Sequence, residues 1–178
     1  NIFTNKCLKN NGVFLTVCNP DSLLTEVNIN YQSIIGEIEM EKITFCIPSK
    51  NNRRYLEACI PSIRKNAYRK DHDIIVFVDE DNDGTVEWLD SVREKYNINY
   101  IVNETGELYG IGKAYDKCIE ESTTKVFMIF HADMMLGKDA DKIAYKELAH
   151  GQYIDPMKRV VCATRIEPPL HPENGEKI

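Results

Sequence analysis

Several features that mark common protein classes are missing from this sequence. The six cysteines are scattered and include no CxxC pair, which argues against a zinc site or a disulfide framework and favours buried thiols of a reducing compartment. No apolar run approaches the ~18 residues of a membrane span, and no stretch resembles a secretion signal. Lys and Arg number 22 against 28 Asp and Glu, so the net charge is −6 and no basic stripe indicates a nucleic-acid-binding face. These absences predict a cytoplasmic protein with no transmembrane segment and no nucleic-acid partner.

The length and the apolar content predict one domain of ordinary size. Of the 178 residues, 43% are apolar, which is enough for a real core. Residues 1–39 fit this domain least well: they are rich in Asn and Thr and contain one strand-like run at 13–17. Met40 would serve well as a natural start. We therefore expect residues 1–39 to be an N-terminal extension of uncertain role and residues 40–178 to form the functional domain.

From Lys42 onward, short apolar runs alternate with segments of helical periodicity. Within the helical segments, apolar residues recur at spacings of three and four. Pro61 predicts a kink or an early end in the first helix. Strands that alternate with helices in this way form βαβ units, so the sequence predicts a three-layer α/β/α sandwich with a mostly parallel sheet. The predicted strands are 43–47, 74–78, 100–102, 126–130 and 160–163, and the helical faces fall within 56–63, 86–96, 108–122 and 138–148.

Two polar side chains, His131 and Asp133, follow the buried strand at 126–130. In an open parallel sheet, ligands bind just beyond the carboxyl ends of the strands. A carboxylate two residues after an imidazole at that point is suited to holding a metal–phosphate group. Alternatively, Asp133 caps the helix that begins near Lys138, and His131 is a core histidine whose hydrogen bonds are satisfied.

An acidic loop, Asp79-Glu80-Asp81-Asn82-Asp83-Gly84, follows the strand at 74–78. Asp79, Asp81, Asp83 and Gly84 match the start of a calcium-binding loop, although a strand precedes them where an EF-hand needs a helix. An Asp-x-Asp after an apolar strand also occurs in phosphatases of the haloacid dehalogenase type. The third interpretation is a solvated turn in which Asp83 or Thr85 caps the next helix.

Four segments taken together resemble the motifs of one family. Residues 47–51 (Ile-Pro-Ser-Lys-Asn) resemble the Pro-Thr-Tyr-Asn turn of family 2 glycosyltransferases of the GT-A fold, and residues 77–85 resemble their Val-Asp-Asp-Gly-Ser-x-Asp-x-Thr segment. Residues 110–116 resemble their Gly-x-x-x-Ala-x-Asn helix start, and Phe130 to Asp133 stands where they carry the Asp-x-Asp metal motif. The four matches occur in the family's order, each at the end of a strand or the start of a helix, and cover Lys42 to about Arg165.

The resemblance implies a GT-A site for a nucleotide-diphosphate sugar. Asp133, with His131, would hold a divalent cation, Mn²⁺ or Mg²⁺, that bridges the diphosphate, since oxygen ligands suit such hard ions. The implied function is metal-assisted transfer of a sugar to a glycan or lipid-linked glycan, as in polysaccharide biosynthesis. The implied contacts are Pro48 and Asn51 in the nucleoside pocket, Glu80 on the base with Asp79 supporting it, and Asp116, Gly110 and Gly112 near the ribose and phosphate.

Two departures from the family pattern affect these expectations. His131 replaces the first Asp of the metal motif, so one carboxylate is lost, although imidazole still binds Mn²⁺ or hydrogen-bonds a phosphate. Only 45 residues follow Asp133, and of their acidic residues Glu167 is a weak choice for the catalytic base. We therefore expect the acceptor half to be largely absent and transfer by these residues alone to be weak. A non-catalytic nucleotide-sugar or metal-binding module is the alternative, followed by the phosphatase.

Overall fold

The described part of the chain alternates strands with helices, as the sequence predicts. A computed structural model describes residues 13–18, 40–150 and 160–164, with side chains described at 40–148 and 160–162. The elements are β1 (Val13–Cys18), β2 (Ile43–Lys50), α1 (Arg53–Asn66), β3 (Asp73–Glu80), α2 (Thr85–Tyr96), β4 (Ile98–Val102), α3 (Gly110–Glu121), β5 (Val126–Ile129), α4 (Ala140–His150) and β6 (Val160–Thr164).

The strands form one sheet in the order β4-β3-β2-β5-β1-β6, and every neighbouring pair is parallel. Because all described strands run the same way, their carboxyl ends meet at one edge of the sheet. The ends of β2, β3 and β5, which precede the polar segments noted above, therefore lie side by side. None of the helices in the described ranges is long and apolar enough to cross a membrane.

Both faces of the sheet are covered by helices, because the strands carry apolar side chains on both sides. In β2, Phe45 packs in a core that α1, α2 and α4 complete with Leu56, Leu89 and Ala144. The next residue, Cys46, belongs to a second core on the opposite face, formed with α3. The predicted three-layer α/β/α sandwich is therefore confirmed.

One detail differs from the sequence pattern and another agrees with it. Proline 61 does not end α1, which continues to Asn66. The strand-like run in the first 39 residues forms β1, which pairs through its backbone with β5 and β6. The boundary at residues 39 and 40 stays a prediction, as does the role of the extension.

A buried histidine–aspartate pair fastens the start of α4 to the segment before β3. Asp141 accepts hydrogen bonds from His72 Nε2 at 2.9 Å, from Tyr68 N at 2.8 Å and from Arg69 N at 3.1 Å. His72 Nδ1 accepts the Ile43 N–H at 3.1 Å, so the ring proton lies on Nε2. Both side chains are fully buried, at 0% exposure. Burial raises the pKa of Asp141, but the hydrogen bonds from His72, Tyr68 and Arg69 outweigh it and hold that pKa below its ordinary value.

A candidate nucleotide and metal site at the carboxyl edge of the sheet

An open cavity of about 420 Å³ lies at the carboxyl edge of the sheet. Five residues predicted from the sequence line it: Pro48 from β2, Asp79 from β3, Gly110 from α3, and His131 and Asp133 from the loop after β5. The rest of its wall consists of Ser49, Lys50, Asn52, Tyr55, Ile111, Ala114 and Ala132. The parallel sheet thus brings together residues that are up to 85 positions apart in the sequence.

Asp79 joins the end of β3 to the start of α3. Its Oδ1 accepts hydrogen bonds from Tyr109 N at 2.8 Å and from Asn103 Nδ2 at 2.8 Å, and its Oδ2 accepts the Gly110 N–H at 2.9 Å. Burial raises the pKa of Asp79, but the two backbone N–H groups and the Asn103 amide outweigh it, so the net pKa is lowered. Asp79 is therefore a carboxylate at neutral pH, and it fixes the N-terminus of α3 against the cavity.

Asn51 and Glu80 lie beside the cavity without forming part of its wall. Asn51 Nδ2 donates to Glu80 Oε2 at 3.2 Å, and Lys50 Nζ lies 3.4 Å from the same oxygen. The Asn51 backbone has a φ of 53°, a left-handed conformation that asparagine tolerates, and its N–H donates to the carbonyl oxygen of Glu80. These contacts tie the ends of β2 and β3 together.

Gly112 and Asp116 also lie outside the cavity wall. Both are on α3, whose Gly110, Ile111 and Ala114 do line the cavity. Asp116 follows Ala114 by two positions, which turns its side chain by about 200° around the helix axis. The helix therefore presents Ala114 to the cavity and Asp116 away from it.

The loop after β5 presents the carboxylate of Asp133 to the cavity. Asp133 is exposed and makes no hydrogen bond or ion pair with another described residue. Helix α4 begins only at Ala140, so Asp133 is not its cap. His131 is partly exposed and packs edge-to-face with Tyr115, with ring centroids 6.2 Å apart at 88°. His131 is therefore not a buried core histidine, and Asp133 is not the cap of α4.

The negative charge of Asp133 contributes to raised pKa values of two neighbouring groups. Burial, and to a lesser degree the nearby carboxylate of Asp133, raises the pKa of the Cys59 thiol to about 12. Burial, with smaller contributions from Cys118, Cys46 and Asp133, also raises the pKa of Tyr115. Both groups are consequently neutral at physiological pH and add no charge to the cavity.

An exposed carboxylate beside an imidazole fits a divalent cation that takes its remaining ligands from elsewhere. Among the described residues, no group of three or more His, Cys, Asp or Glu side chains is placed to hold a metal ion. His131 and Asp133 provide two possible ligands, whereas Mg²⁺ takes six, several of them from phosphates or water. The pair therefore suits a cation that arrives with a phosphorylated ligand.

The acidic loop caps helices. Asp81 accepts hydrogen bonds from Thr85 N at 2.8 Å and Val86 N at 2.9 Å, at the start of α2. Asp83 accepts from the Thr85 hydroxyl at 2.6 Å and from Arg53 N, the first residue of α1, at 2.9 Å. These hydrogen bonds give Asp81 and Asp83 a structural role, and no group of three or more His, Cys, Asp or Glu side chains among the described residues is placed to hold a metal ion. The geometry thus favours the solvated, helix-capping turn over the calcium loop and the phosphatase.

Sequence reasoning missed seven residues of the cavity wall, and three of them, Ser49, Lys50 and Tyr55, bring groups that a ligand can contact. The Ser49 hydroxyl is buried and has no hydrogen-bond partner among the described residues, so it is available to a ligand. Lys50 brings a positive charge, and Tyr55, which is 53% exposed, brings an aromatic face. Ser49 and Lys50 fall inside the turn quoted above and could have been included on that ground. Tyr55 lies in α1, whose polar first turn carried no signal.

No catalytic base is identified in the described part of the cavity. The carboxylate oxygens of Asp79 are used by three N–H donors. Glu167, the residue suggested from the sequence, lies outside the described residues.

Comparisons with known proteins agree with this geometry. A family model described as glycosyl transferase family 2 matches residues 44–169. Abequosyltransferase RfbV of Salmonella typhimurium (strain LT2) is 29% identical over 123 residues, which cover 67% of this chain and 37% of that protein. The chain thus spans little more than a third of the length of this curated relative.

Solved structures share the fold at low sequence identity. TarS of S. aureus in complex with UDP-GlcNAc gives a TM-score of 0.54 at 21% identity over 61% of this chain and 31% of that one. The mannosyltransferase PcManGT of Pyrobaculum calidifontis, in complex with GDP-Man and Mn²⁺, gives a TM-score of 0.50 at 18% identity over 64% and 34%. The likeness to these transferases confirms the predicted GT-A fold.

Proposed function

Because this chain belongs to glycosyl transferase family 2, we propose that it binds a nucleotide-diphosphate sugar in the cavity at the carboxyl edge of the sheet and transfers the sugar to a glycan or lipid-linked glycan. The observation that carries the proposal is the convergence of Pro48, Asp79, Gly110, His131 and Asp133 on that cavity. Each comes from a segment that resembles a family motif. A site assembled from four separate segments is more specific than any one motif.

Different residues are proposed to contact the nucleoside and the phosphates of the ligand. Pro48 and Asn51, with Glu80 beside them, receive the nucleoside, and Glu80 accepts a hydrogen bond from the base. Asp79 holds the N-terminus of α3, including Gly110, against the cavity. The positive end of that helix dipole favours a phosphate nearby, as does the ammonium group of Lys50. Gly112 and Asp116 follow on α3 outside the cavity wall, so the proposal assigns them no contact with the ligand.

His131 and Asp133 are the residues proposed to hold a divalent cation, Mn²⁺ or Mg²⁺. Such a cation, when bound, stabilises the negative charge that develops on a diphosphate leaving group. The Asp133 carboxylate is free of other partners among the described residues and needs no rearrangement to serve as a ligand. PcManGT is described with Mn²⁺ and GDP-Man, and TarS with UDP-GlcNAc, which supports a metal and a nucleotide sugar as the ligands proposed for this chain.

A non-catalytic nucleotide-sugar-binding module is the second proposal, and one observation favours it. Of the two carboxylates in the cavity wall, Asp79 is engaged by three N–H donors and Asp133 is assigned to the metal. The described wall therefore leaves no carboxylate to take the proton of an acceptor hydroxyl.

A cytoplasmic location is also proposed, because the thiols of Cys46, Cys59 and Cys118 are free.

Calorimetry with a panel of UDP, GDP, CDP, ADP and dTDP tests the function, each with Mn²⁺ and with EDTA. We expect saturable binding of one of them that Mn²⁺ strengthens. A product assay with the matching sugar nucleotide then separates a transferase from a binding module. Failure of every diphosphate to bind at millimolar concentration would overturn the proposal. Asp90→Asn, an exposed change on α2 away from the cavity, should bind the same nucleotide as the wild type and is the control for changes in the cavity.

A further inference from the structure

Helix α1 reaches across to the loop that carries His131 and Asp133. Ser62 Oγ accepts the Leu136 N–H at 2.9 Å, and Asn66 Nδ2 donates to the Leu136 carbonyl oxygen at 2.6 Å. The Asn66 carbonyl oxygen accepts the Asp139 N–H at 2.9 Å. Cys59, one turn before Ser62 in α1, has its Sγ 3.7 Å from the His131 carbonyl oxygen. We call Cys59, Ser62 and Asn66 the α1 ladder, since they follow one another along one face of the helix.

The loop at residues 131–139 depends on these contacts because it contains no helix or strand of its own. On the strand side, it is anchored where Phe130 N donates to the Cys46 carbonyl oxygen at 3.0 Å. On the other side, its anchor is Leu136, which is buried at 5% exposure and bonded at both backbone atoms to the α1 ladder. Asp133 lies between the two anchors and makes no polar contact of its own with a described residue.

We infer that Ser62 and Asn66 are positioning residues that set where the Asp133 carboxylate stands, and so how strongly a divalent cation is held with a nucleoside diphosphate. The inference rests on the proposed function. Groups behind a metal ligand commonly decide its affinity, because a ligand that must be ordered on binding holds the ion less well. Here the group behind the ligand is the loop backbone, and the α1 ladder is what orders it.

Ser62 is the buried member of this pair. Its side chain is buried, at 4% exposure, and its hydroxyl donates to the Cys59 carbonyl oxygen at 2.7 Å while accepting from Leu136 N. Serine is a poor helix former, and its hydroxyl often competes for the helix backbone. The buried hydroxyl also accepts the Leu136 N–H of the loop, a hydrogen bond that alanine cannot form.

The test compares Ser62→Ala with Ser91→Ala. Ser91 on α2 makes the same kind of bond, donating to the Trp88 carbonyl oxygen at 2.7 Å, but it is exposed and bonds no loop. Mn²⁺ is titrated, with electron paramagnetic resonance as the readout, into each protein saturated with UDP, or with GDP if the wild-type chain prefers it. The affinity of the same nucleotide is also measured in EDTA.

For Ser62→Ala we expect Mn²⁺ affinity to fall by about tenfold, the lower end of the effect of losing a group behind a metal ligand. Nucleotide affinity in EDTA should stay within about twofold of the wild type, because the nucleoside contacts lie on β2, β3 and α3. Ser91→Ala should match the wild type in both measurements. If Ser62→Ala does not fold, Asn66→Ala removes the bond to the Leu136 carbonyl oxygen and is judged by the same two measurements.

Two outcomes would overturn the positioning role. One is wild-type Mn²⁺ affinity in the variant, and the other is an equal loss of Mn²⁺ and metal-free nucleotide affinity, which indicates a merely structural role. A wild-type chain that binds no nucleotide would instead overturn the proposed function, and the positioning role with it. The wild-type measurement therefore tells the two failures apart.

Discussion

Removing the buried carboxylate of Asp141 should cost a large part of this domain's stability. Replacement by alanine leaves three N–H donors without an acceptor: His72 Nε2, Tyr68 N and Arg69 N. Each unpaired buried donor costs ~1–3 kcal/mol, and the two backbone groups regain part of this because they are only partly buried. We therefore expect Asp141→Ala to lower the free energy of unfolding by about 3–5 kcal/mol, out of the ~5–15 kcal/mol typical of a domain.

The isosteric change Asp141→Asn should cost less, about 2–3 kcal/mol, because one carbonyl oxygen still accepts while the new amide group faces another donor. Guanidinium unfolding followed by circular dichroism measures both variants. Asp90→Asn is the control, since Asp90 accepts one hydrogen bond from the Tyr100 hydroxyl at an exposed position, and a change within about 0.5 kcal/mol is expected there.

The pH dependence of the difference gives a second check. The folded pKa of Asp141 is lowered, so the native state binds its proton more weakly than the unfolded chain. Its stabilisation is then fully present above the unfolded pKa of about 3.9 and is lost as the pH falls through the folded pKa. The stability gap between wild type and Asp141→Asn should hold from pH 7 to about 5 and narrow below about 4. A gap no larger than that of Asp90→Asn at pH 7 would refute the reasoning.

Three further predictions concern the cavity. Asp133→Asn should weaken Mn²⁺ binding in the presence of nucleoside diphosphate by at least about tenfold, since losing a group behind a ligand already costs about that much, with nucleotide affinity in EDTA unchanged; an unaltered Mn²⁺ titration would remove Asp133 from the metal site. Glu80→Ala should weaken binding of the preferred nucleotide by ~1–3 kcal/mol because a base loses its acceptor; equal affinity by calorimetry would exclude Glu80 from base recognition. Ca²⁺ alone should not bind tightly, since Asp81 and Asp83 cap helices; tight nucleotide-independent Ca²⁺ binding that survives Asp133→Ala would restore the calcium loop.

The periodicity of apolar residues was enough to predict the alternation of strands and helices, because β2, β3 and β5 are buried on both faces and α1, α2 and α3 each bury one face. It also predicted that residues after β2, β3 and β5 would meet, since parallel strands end at one edge of the sheet. The resemblance to the family added the roles of those residues.

Other features depend on contacts for which the local sequence has no signal. Asp83 caps α1 through Arg53 N, 30 residues earlier, and Asp141 bonds His72 across 69 residues. Neither pair is close enough in sequence for a spacing rule to apply. It was equally hidden that Asp79 lines the cavity and Glu80 does not, because successive side chains of a strand point to opposite faces and the motif does not say which one faces the cavity.

Because β1 lies between β5 and β6 in the sheet, it cannot pair with them until more than a hundred later residues have been synthesised. Strands β2, β3 and β4 are neighbours in both sequence and space, so they can pair as they leave the ribosome. Val13, in contrast, pairs with Val126, and at ~5–20 residues per second β1 waits roughly 5–25 s for that partner. From the synthesis of β2 until that of β5, the edge of β2 that β5 will occupy is open, and β1 is already available to pair there. Correct assembly therefore requires β5 to enter between two strands made before it, so the slowest and most error-prone step of folding should lie at this seam.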